Sequence, residues 1–381
     1  MRLLAIAAII LISGVCLLAV SGAPDIGKIK SRCLELEDLA ARLRLSPTEY
    51  RSMKLAVARA QARFEKHDFQ AGEKILDDTI AGYRARLTKH TGGGDRLLPP
   101  DPSTVQAVDN FTSPEIVQVR GYSDDLMEPL ISKDGRFLLF NNSNSPESNT
   151  HVHIAKREGP LRFSYLGLLP GALSKSKDYA PAMTVSGKMF FTSLRLRPAK
   201  LDTILVGDFK DGKLSGAEPV PGAITSHLPL WLNMDCEVSA DGKIMIISRA
   251  RFAPGGHVPK ESDLILAELA GGGYGIAKES GNILGKINTG ALEYAPCLST
   301  DGLELFFTRA GEAMVKGQSQ GNRLAILYSR RVSNQAPFEA PRRIASISGF
   351  VEGPTLSADG RELFFHKRDG EKFRIYRCLR K

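Results

Sequence analysis

Five acids stand seven to nine residues ahead of a recurring glycine turn: Glu128, Asp178, Asp235, Glu293 and Glu352. Carboxylates gathered into a ring attract a cation or a basic peptide segment. A pair of them in unlike surroundings can instead do acid and base work on a glycosidic bond. Asp124, Asp125 and Glu237 fall in the same stretches, and Asp125 joins the candidate ligand-binding set. Tyr179 and Tyr294 directly follow two of the acids, with Trp231 nearby, and their rings offer a stacking face to a sugar or peptide. The competing expectation is that each acid accepts backbone hydrogen bonds or pairs with an arginine. No catalytic residue is assigned, because five acids at near-equivalent positions do not single out one reactive site.

Other chemistry is less well supported. Ser and Asp of the recurring Ser-x-Asp-Gly stretch are expected to satisfy backbone groups within tight turns. His151 and His153 share a strand face without a third ligand, so no metal is expected, and no other cofactor either. "AGGGYG" at 270–275 follows a strand but opens no helix, which makes it a hairpin connection and not a phosphate loop. Cys33, Cys236, Cys297 and Cys378 show neither metal spacing nor a disulfide framework. The net charge of +9 is spread along the chain, and without a basic, aromatic-interleaved patch it excludes nucleic acid as the expected partner.

The elements that must position these acids are repeats. Aligned on Gly135, Gly187, Gly242, Gly302 and Gly360, five copies recur at roughly 55-residue intervals. Four carry Ser-x-Asp-Gly, at Ser132, Ser239, Ser299 and Ser357; the second reads "TVSG". A buried strand follows each turn ("FLLF", "MFF", "IMII", "LELFF", "ELFF"), then a second strand and a weaker third. Asp-Gly between apolar stretches signals a hairpin, with positive φ expected at both central residues. "FTSPEIVQVRGYSDD" at 111–125 has the form of the third element but precedes the first copy, while the last copy lacks one. The fold class expected is therefore mainly β: a five-bladed β-propeller closed by its N-terminal strand and preceded by a small α-helical segment.

The pattern Pro-x-x-Ser-x-Asp-Gly-x-x-Leu-x-Phe, as in "PLISKDGRFLLF" and "PTLSADGRELFF", resembles the repeat of TolB-like β-propellers over 111–381. Stretches such as "GYSDDLMEP" and "ALEYAPCLSTDGLELFFTR" are similar to those of exported bacterial members of that group. TolB itself has six blades and an α/β domain, so its lipoprotein partner is not carried over.

Ahead of the repeats, "MRLLAIAAIILISGVCLLAVSG" has the layout of an export signal over 1–22, or of an anchor if uncleaved. Residues 23–90 carry helical periodicity, including a pair resembling a tetratricopeptide hairpin. "TGGGDRLLPPDPS" opens a linker over 91–108, and the propeller is expected over 109–381. The expected location is periplasmic or extracellular, with membrane contact only through an uncleaved N-terminus. The function this favours is a non-catalytic scaffold binding an envelope protein or peptide, with a glycan as a further possible ligand. The alternative is a carbohydrate-active hydrolase or lyase using carboxylates at the channel mouth, for which an asymmetric pocket with two acids would be the mark.

Overall fold

The computed structural model describes residues 47–66, 68–91, 105–143, 148–197, 201–226, 230–253, 258–311 and 324–381, with single positions among 29–43 and at 102 and 199. The export signal expected over 1–22 lies outside the described residues. Among those described, no helix is long and apolar enough to cross a membrane. The chain divides into two compact units, one holding the helices with short segments at 226–231 and 251–257, the other holding the remainder from Leu98 onward.

In the first unit, helix α1 (Pro47–Glu65) opens on a proline, tolerated there because its missing N–H would have no helical partner. Helix α2 (Phe69–Thr91) follows Asp68, whose Oδ1 accepts the Ala71 N–H at 3.3 Å. Met53, Val57, Ala60 and Phe64 of α1 pack with Leu76 and Ile80 of α2. Gly72 makes this approach possible: a Cβ there would lie 2.4 Å from the Phe64 ring.

The second unit is a run of antiparallel meanders, one per sequence copy, in a β-propeller architecture. The first strands are Met127–Ile131, Asp178–Met183, Trp231–Val238, Leu292–Leu298 and Val351–Leu356. Five separate sheets are expected from the copies, but hydrogen bonding links them into four. A parallel bridge between Ser262 and Leu292 joins the third and fourth copies into one ten-stranded sheet. The segment that precedes the first copy is divided. Glu115–Ile116 pairs antiparallel with Lys372–Leu379 of the last copy, and Gln118–Arg120 pairs parallel with Arg162–Leu168 of the first.

Apolar clusters fill the spaces between consecutive copies. Leu139 and Ile154 meet Met183 and Phe191; Ala182 and Phe190 meet Val238 and Ile247; Ile246 and Leu264 meet Leu298 and Phe307. Phe306 and Ile326 meet Leu356 and Phe365. A fifth cluster joins Phe364 and Ile375 of the last copy to Ile131, Leu138 and Phe140 of the first.

Each turn is stapled by its own side chains. Ser132 Oγ accepts the Phe137 N–H at 2.9 Å and donates to Asp134 Oδ1 at 2.6 Å, and the same pairs recur at Ser239/Asp241, Ser299/Asp301 and Ser357/Asp359. In the second copy Thr184 and Ser186 make the equivalent contact. Only the glycine takes positive φ, 71° to 86° across the five copies, and the aspartates do not. The expected two-residue turn is thus a four-residue turn ending in a left-handed glycine. Gly271 and Gly272, both at positive φ, make the two-residue hairpin between Pro259–Ala270 and Gly273–Ile276. Cys236, Cys297 and Cys378 are buried free thiols.

Candidate functional site

The first strand of four copies is bulged at the same place. Register shifts fall between Met127 and Leu130, Tyr179 and Ala182, Tyr294 and Cys297, and Glu352 and Thr355. Seven residues before the turn glycine, Glu128, Ala180, Ala295 and Gly353 have φ of 47°, 49°, 49° and 63°. Each is followed by a proline. For the three non-glycine residues this conformation costs about 1–2 kcal/mol, and the bulge turns their N–H groups toward the neighbouring copy. Ala180 N–H reaches Asn141 Oδ1 at 3.5 Å, Ala295 N–H reaches Asp235 Oδ2 at 3.2 Å, and Gly353 N–H reaches Thr308 Oγ1 at 3.2 Å. Glu128 N–H makes the corresponding bond to His366 Nδ1 at 3.1 Å, from the first copy to the last.

This register separates the acids that the sequence treated as equivalent. Asp178 and Glu293 stand two residues farther from the turn and are fully buried against arginine. Asp178 accepts from Arg195 at 2.8 Å and Ser174 at 2.7 Å; Glu293 accepts from Arg309 at 2.7 Å and Thr289 at 2.6 Å. In the third copy Asn233 holds the position and accepts from Arg249 at 3.0 Å. The three guanidinium groups also donate to the carbonyls of Ala172, Ile224 and Ile287 in the segments leading into the strands. Burial drives the Glu293 carboxyl up from its ordinary value despite Arg309 and Thr289. These two acids clamp loops to strands and do not form part of a carboxylate ring. Asp125 is also structural, accepting the Phe373 N–H at 2.9 Å.

Glu128, Asp235 and Glu352 remain. Glu128 and Asp235, with Glu237, line a cavity of about 30 Å³, room for one or two waters, to which all five first strands contribute and whose lining also includes Ala180, Ala295 and Gly353 but not Glu352. Their surroundings differ. Asp235 accepts from Ser248 Oγ and from Ala295 N–H; burial pushes its carboxyl up to about 7, with the Glu128 charge adding to the rise and Ser248 opposing it. Glu352 accepts from Tyr294 Oη at one oxygen and lies 3.2 Å from His366 Nε2 at the other. Glu128 presents its carboxylate beside Gly353, where a Cβ would lie 2.9 Å from Oε2 and 3.0 Å from His366 Nδ1. Any larger residue there makes the carboxylate and the ring withdraw.

The aromatic candidates divide likewise. Tyr294 is committed to Glu352, and burial together with that carboxylate raises its phenol far above the ordinary value. Tyr179 occupies the matching position in the second copy; burial raises its phenol, with Asp235 and Glu128 adding to the effect. Trp231 is buried. Toward the turn end, Glu237 meets Lys133 at 3.7 Å, and burial lifts its carboxyl to about 7 against the pull of that lysine.

His366 had no role assigned from the sequence. Burial lowers its basicity, but the hydrogen bond to Glu352 and the charges of Glu128 and Asp125 outweigh it, so its value is raised. The signal for it was positional: six residues after the turn glycine the copies read Asn141, Ser193, Ser248, Thr308 and His366. His153 is buried, with Nδ1 2.8 Å from Tyr165 Oη, and burial pulls it down to about 4. Among the described residues no group of three His, Cys, Asp or Glu side chains could hold a metal ion.

The sequence matches no protein-family model and no curated protein. Among solved structures the chain is similar to the catalytic domain of the Coprinopsis cinerea GH62 α-L-arabinofuranosidase, at 10% identity and a TM-score of 0.46 over 74% of this chain and 98% of that one. A family 117 glycoside hydrolase produced by the marine bacterium Zobellia galactanivorans is similar at 10% identity and a TM-score of 0.44, over 71% and 92% of the two chains. TolB from Acinetobacter baumannii is similar at 15% identity and a TM-score of 0.34, over 81% and 69%. The expectation of a non-catalytic scaffold, and with it the leaning away from an enzyme, is corrected: its premise of five equal acids fails, because Asp178 and Glu293 are clamped by arginine while Glu128, Asp235 and Glu352 stand in unlike settings.

Proposed function

We propose that this chain is a carbohydrate-active hydrolase whose site lies at the axis of a closed five-bladed propeller. The observation that carries the reading is that Glu128, Asp235 and Glu352, whose charges all act on Tyr294, stand in three unlike settings. Glycoside hydrolysis requires one carboxyl group that still holds a proton and a second that acts as a carboxylate. Asp235, lifted to about 7, is the proton donor to the leaving glycosidic oxygen as its bond to the anomeric carbon breaks. Glu352, oriented by Tyr294 and His366, is the carboxylate that attacks that carbon or takes a proton from the attacking water. Glu128 raises Asp235 by its charge, and Tyr179 supplies a ring face for the sugar.

Closure into five blades is supported by the apolar cluster joining last copy to first and by the Glu128 to His366 bond, which repeats the contact made at three other junctions. The export-signal layout of the sequence over 1–22 favours export and so a glycan outside the cytoplasm as substrate, and the domain division proposed is a helical segment over 23–90, a linker over 91–108 and the propeller over 109–381. The test is release of new reducing ends from a polysaccharide panel by the full chain. Release lost in Asp235→Asn and in Glu352→Gln is expected; ends released equally by these variants would remove the carboxylates from the reaction.

A further inference from the structure

Three of the four inter-copy bonds at the bulge end on groups that serve the fold well enough without a ring: the Asn141 amide, the Thr308 hydroxyl and the Asp235 carboxylate. The junction between last copy and first uses an imidazole, His366, in a fully buried position where a ring is the largest side chain of the series. What imidazole adds is a second nitrogen on the opposite side. Its Nδ1 accepts from the Glu128 backbone at 3.1 Å, which in the neutral ring leaves the proton on Nε2, 3.2 Å from Glu352 Oε2. Glycine at 353 keeps a side chain out of the space the ring needs.

We propose that His366 is a positioning residue: one ring fastens the backbone of Glu128 to the side chain of Glu352 and, with Tyr294, fixes the orientation of the Glu352 carboxylate. This rests on the hydrolase reading for its catalytic consequence but not for its geometry. The charged and titratable groups facing the ring are Glu352, Glu128 and Asp125, and Tyr294 meets the other oxygen of Glu352. No ring proton is transferred; the ring orients, and Glu352 acts.

Two substitutions split the two nitrogens. His366→Asn places an amide oxygen near the Nδ1 position, as Asn141 does in the first copy, and so keeps the backbone bond while losing the donor to Glu352. His366→Gln places its amide nitrogen near the Nε2 position and keeps that donor. On a cleaved glycan, His366→Asn is expected to lower kcat by about 10- to 100-fold with KM little changed, and His366→Gln to recover most of it. Equal losses in both variants, or none in either, would overturn the proposal.

Nitrogen-15 NMR of the histidine-labelled full chain at pH 8 supplies an arm independent of activity. A proton on Nε2 of His366 alone is expected, and a proton on Nδ1, whether in the neutral or the doubly protonated ring, would overturn the proposal. If the wild-type chain cleaves no glycan, the hydrolase reading falls alone. The proposal is then judged by the same nitrogen-15 signals in Glu352→Gln: a shifted His366 Nε2 resonance supports the bond from the ring to Glu352, and an unchanged one overturns it.

Discussion

Gly353→Ala should disturb the site through two neighbours that can be separated. In the second and third bulges that carry alanine, Ala180 and Ala295 hold φ of 49°, close to the 63° of Gly353, so an alanine backbone is tolerated there for about 1–2 kcal/mol. The added Cβ would stand 2.9 Å from Glu128 Oε2 and 3.0 Å from His366 Nδ1, against 3.4 Å for ordinary contact. Carboxylate and ring must each withdraw by a few tenths of an ångström, an overpacking cost of about 1–3 kcal/mol. Glu128→Ala removes the nearer obstacle and is itself compatible with the bulge, again because alanine stands at that position in two sister copies. The assay is urea denaturation of the wild type, both single variants and the double variant. Gly353→Ala should cost about 1 kcal/mol less in the Glu128→Ala background than in the wild type. Equal costs, within about 0.3 kcal/mol, would mean that Glu128 does not lie against Gly353 and that the trio is misassembled.

Arg309→Leu should destabilise the chain by about 3–5 kcal/mol by stranding the buried Glu293, whereas the paired change with Glu293→Leu should recover much of that loss in thermal melts. The turn aspartates Asp134, Asp241, Asp301 and Asp359 have carboxyls lowered by hydrogen bonds from their serines and following N–H groups. Their folded values lie below the unfolded value of about 3.9, so the stability they contribute is present above that pH and lost as pH falls through the folded values. Asp301→Asn should therefore flatten the acid limb of a stability profile below about pH 4. Asp235 has the opposite sign. Lifted to about 7, it makes the folded chain bind the extra proton between about pH 4 and 7, so its contribution to stability declines over that window as pH rises, and Asp235→Asn should remove that slope in urea midpoints. Glycan cleavage, which needs Asp235 protonated, should fall as pH rises through about 7 in a kcat profile.

The repeats were readable because a turn must be built from local chemistry: serine, aspartate and glycine at fixed spacing satisfy their own backbone groups whatever surrounds them. The number of sheets was not, since the Ser262 to Leu292 bridge depends on how two copies meet. The same boundary runs through the site. Acids near each turn could be counted, but strand alternation breaks at the bulge, so a shift of two residues decides whether a carboxylate meets an arginine, as Asp178 and Glu293 do, or the axis, as Glu128 and Asp235 do. Arg195, Arg249 and Arg309, recurring seven or eight residues after the turn glycine, were the available sign that the outer acids are clamped. His366 was legible only as the odd member of the series Asn141, Ser193, Ser248, Thr308, and its meaning came from Glu352 standing 3.2 Å away.

The most direct test is cleavage by Asp235→Asn of two substrates with the same sugar, one with a natural alcohol leaving group and one with a dinitrophenol that leaves without a proton. The account predicts that the variant loses the natural substrate by about 10²-fold or more but retains the activated one, whereas Glu352→Gln loses both. Equal loss of both substrates in Asp235→Asn, or unchanged cleavage in either variant, would contradict the division of roles among the three carboxylates.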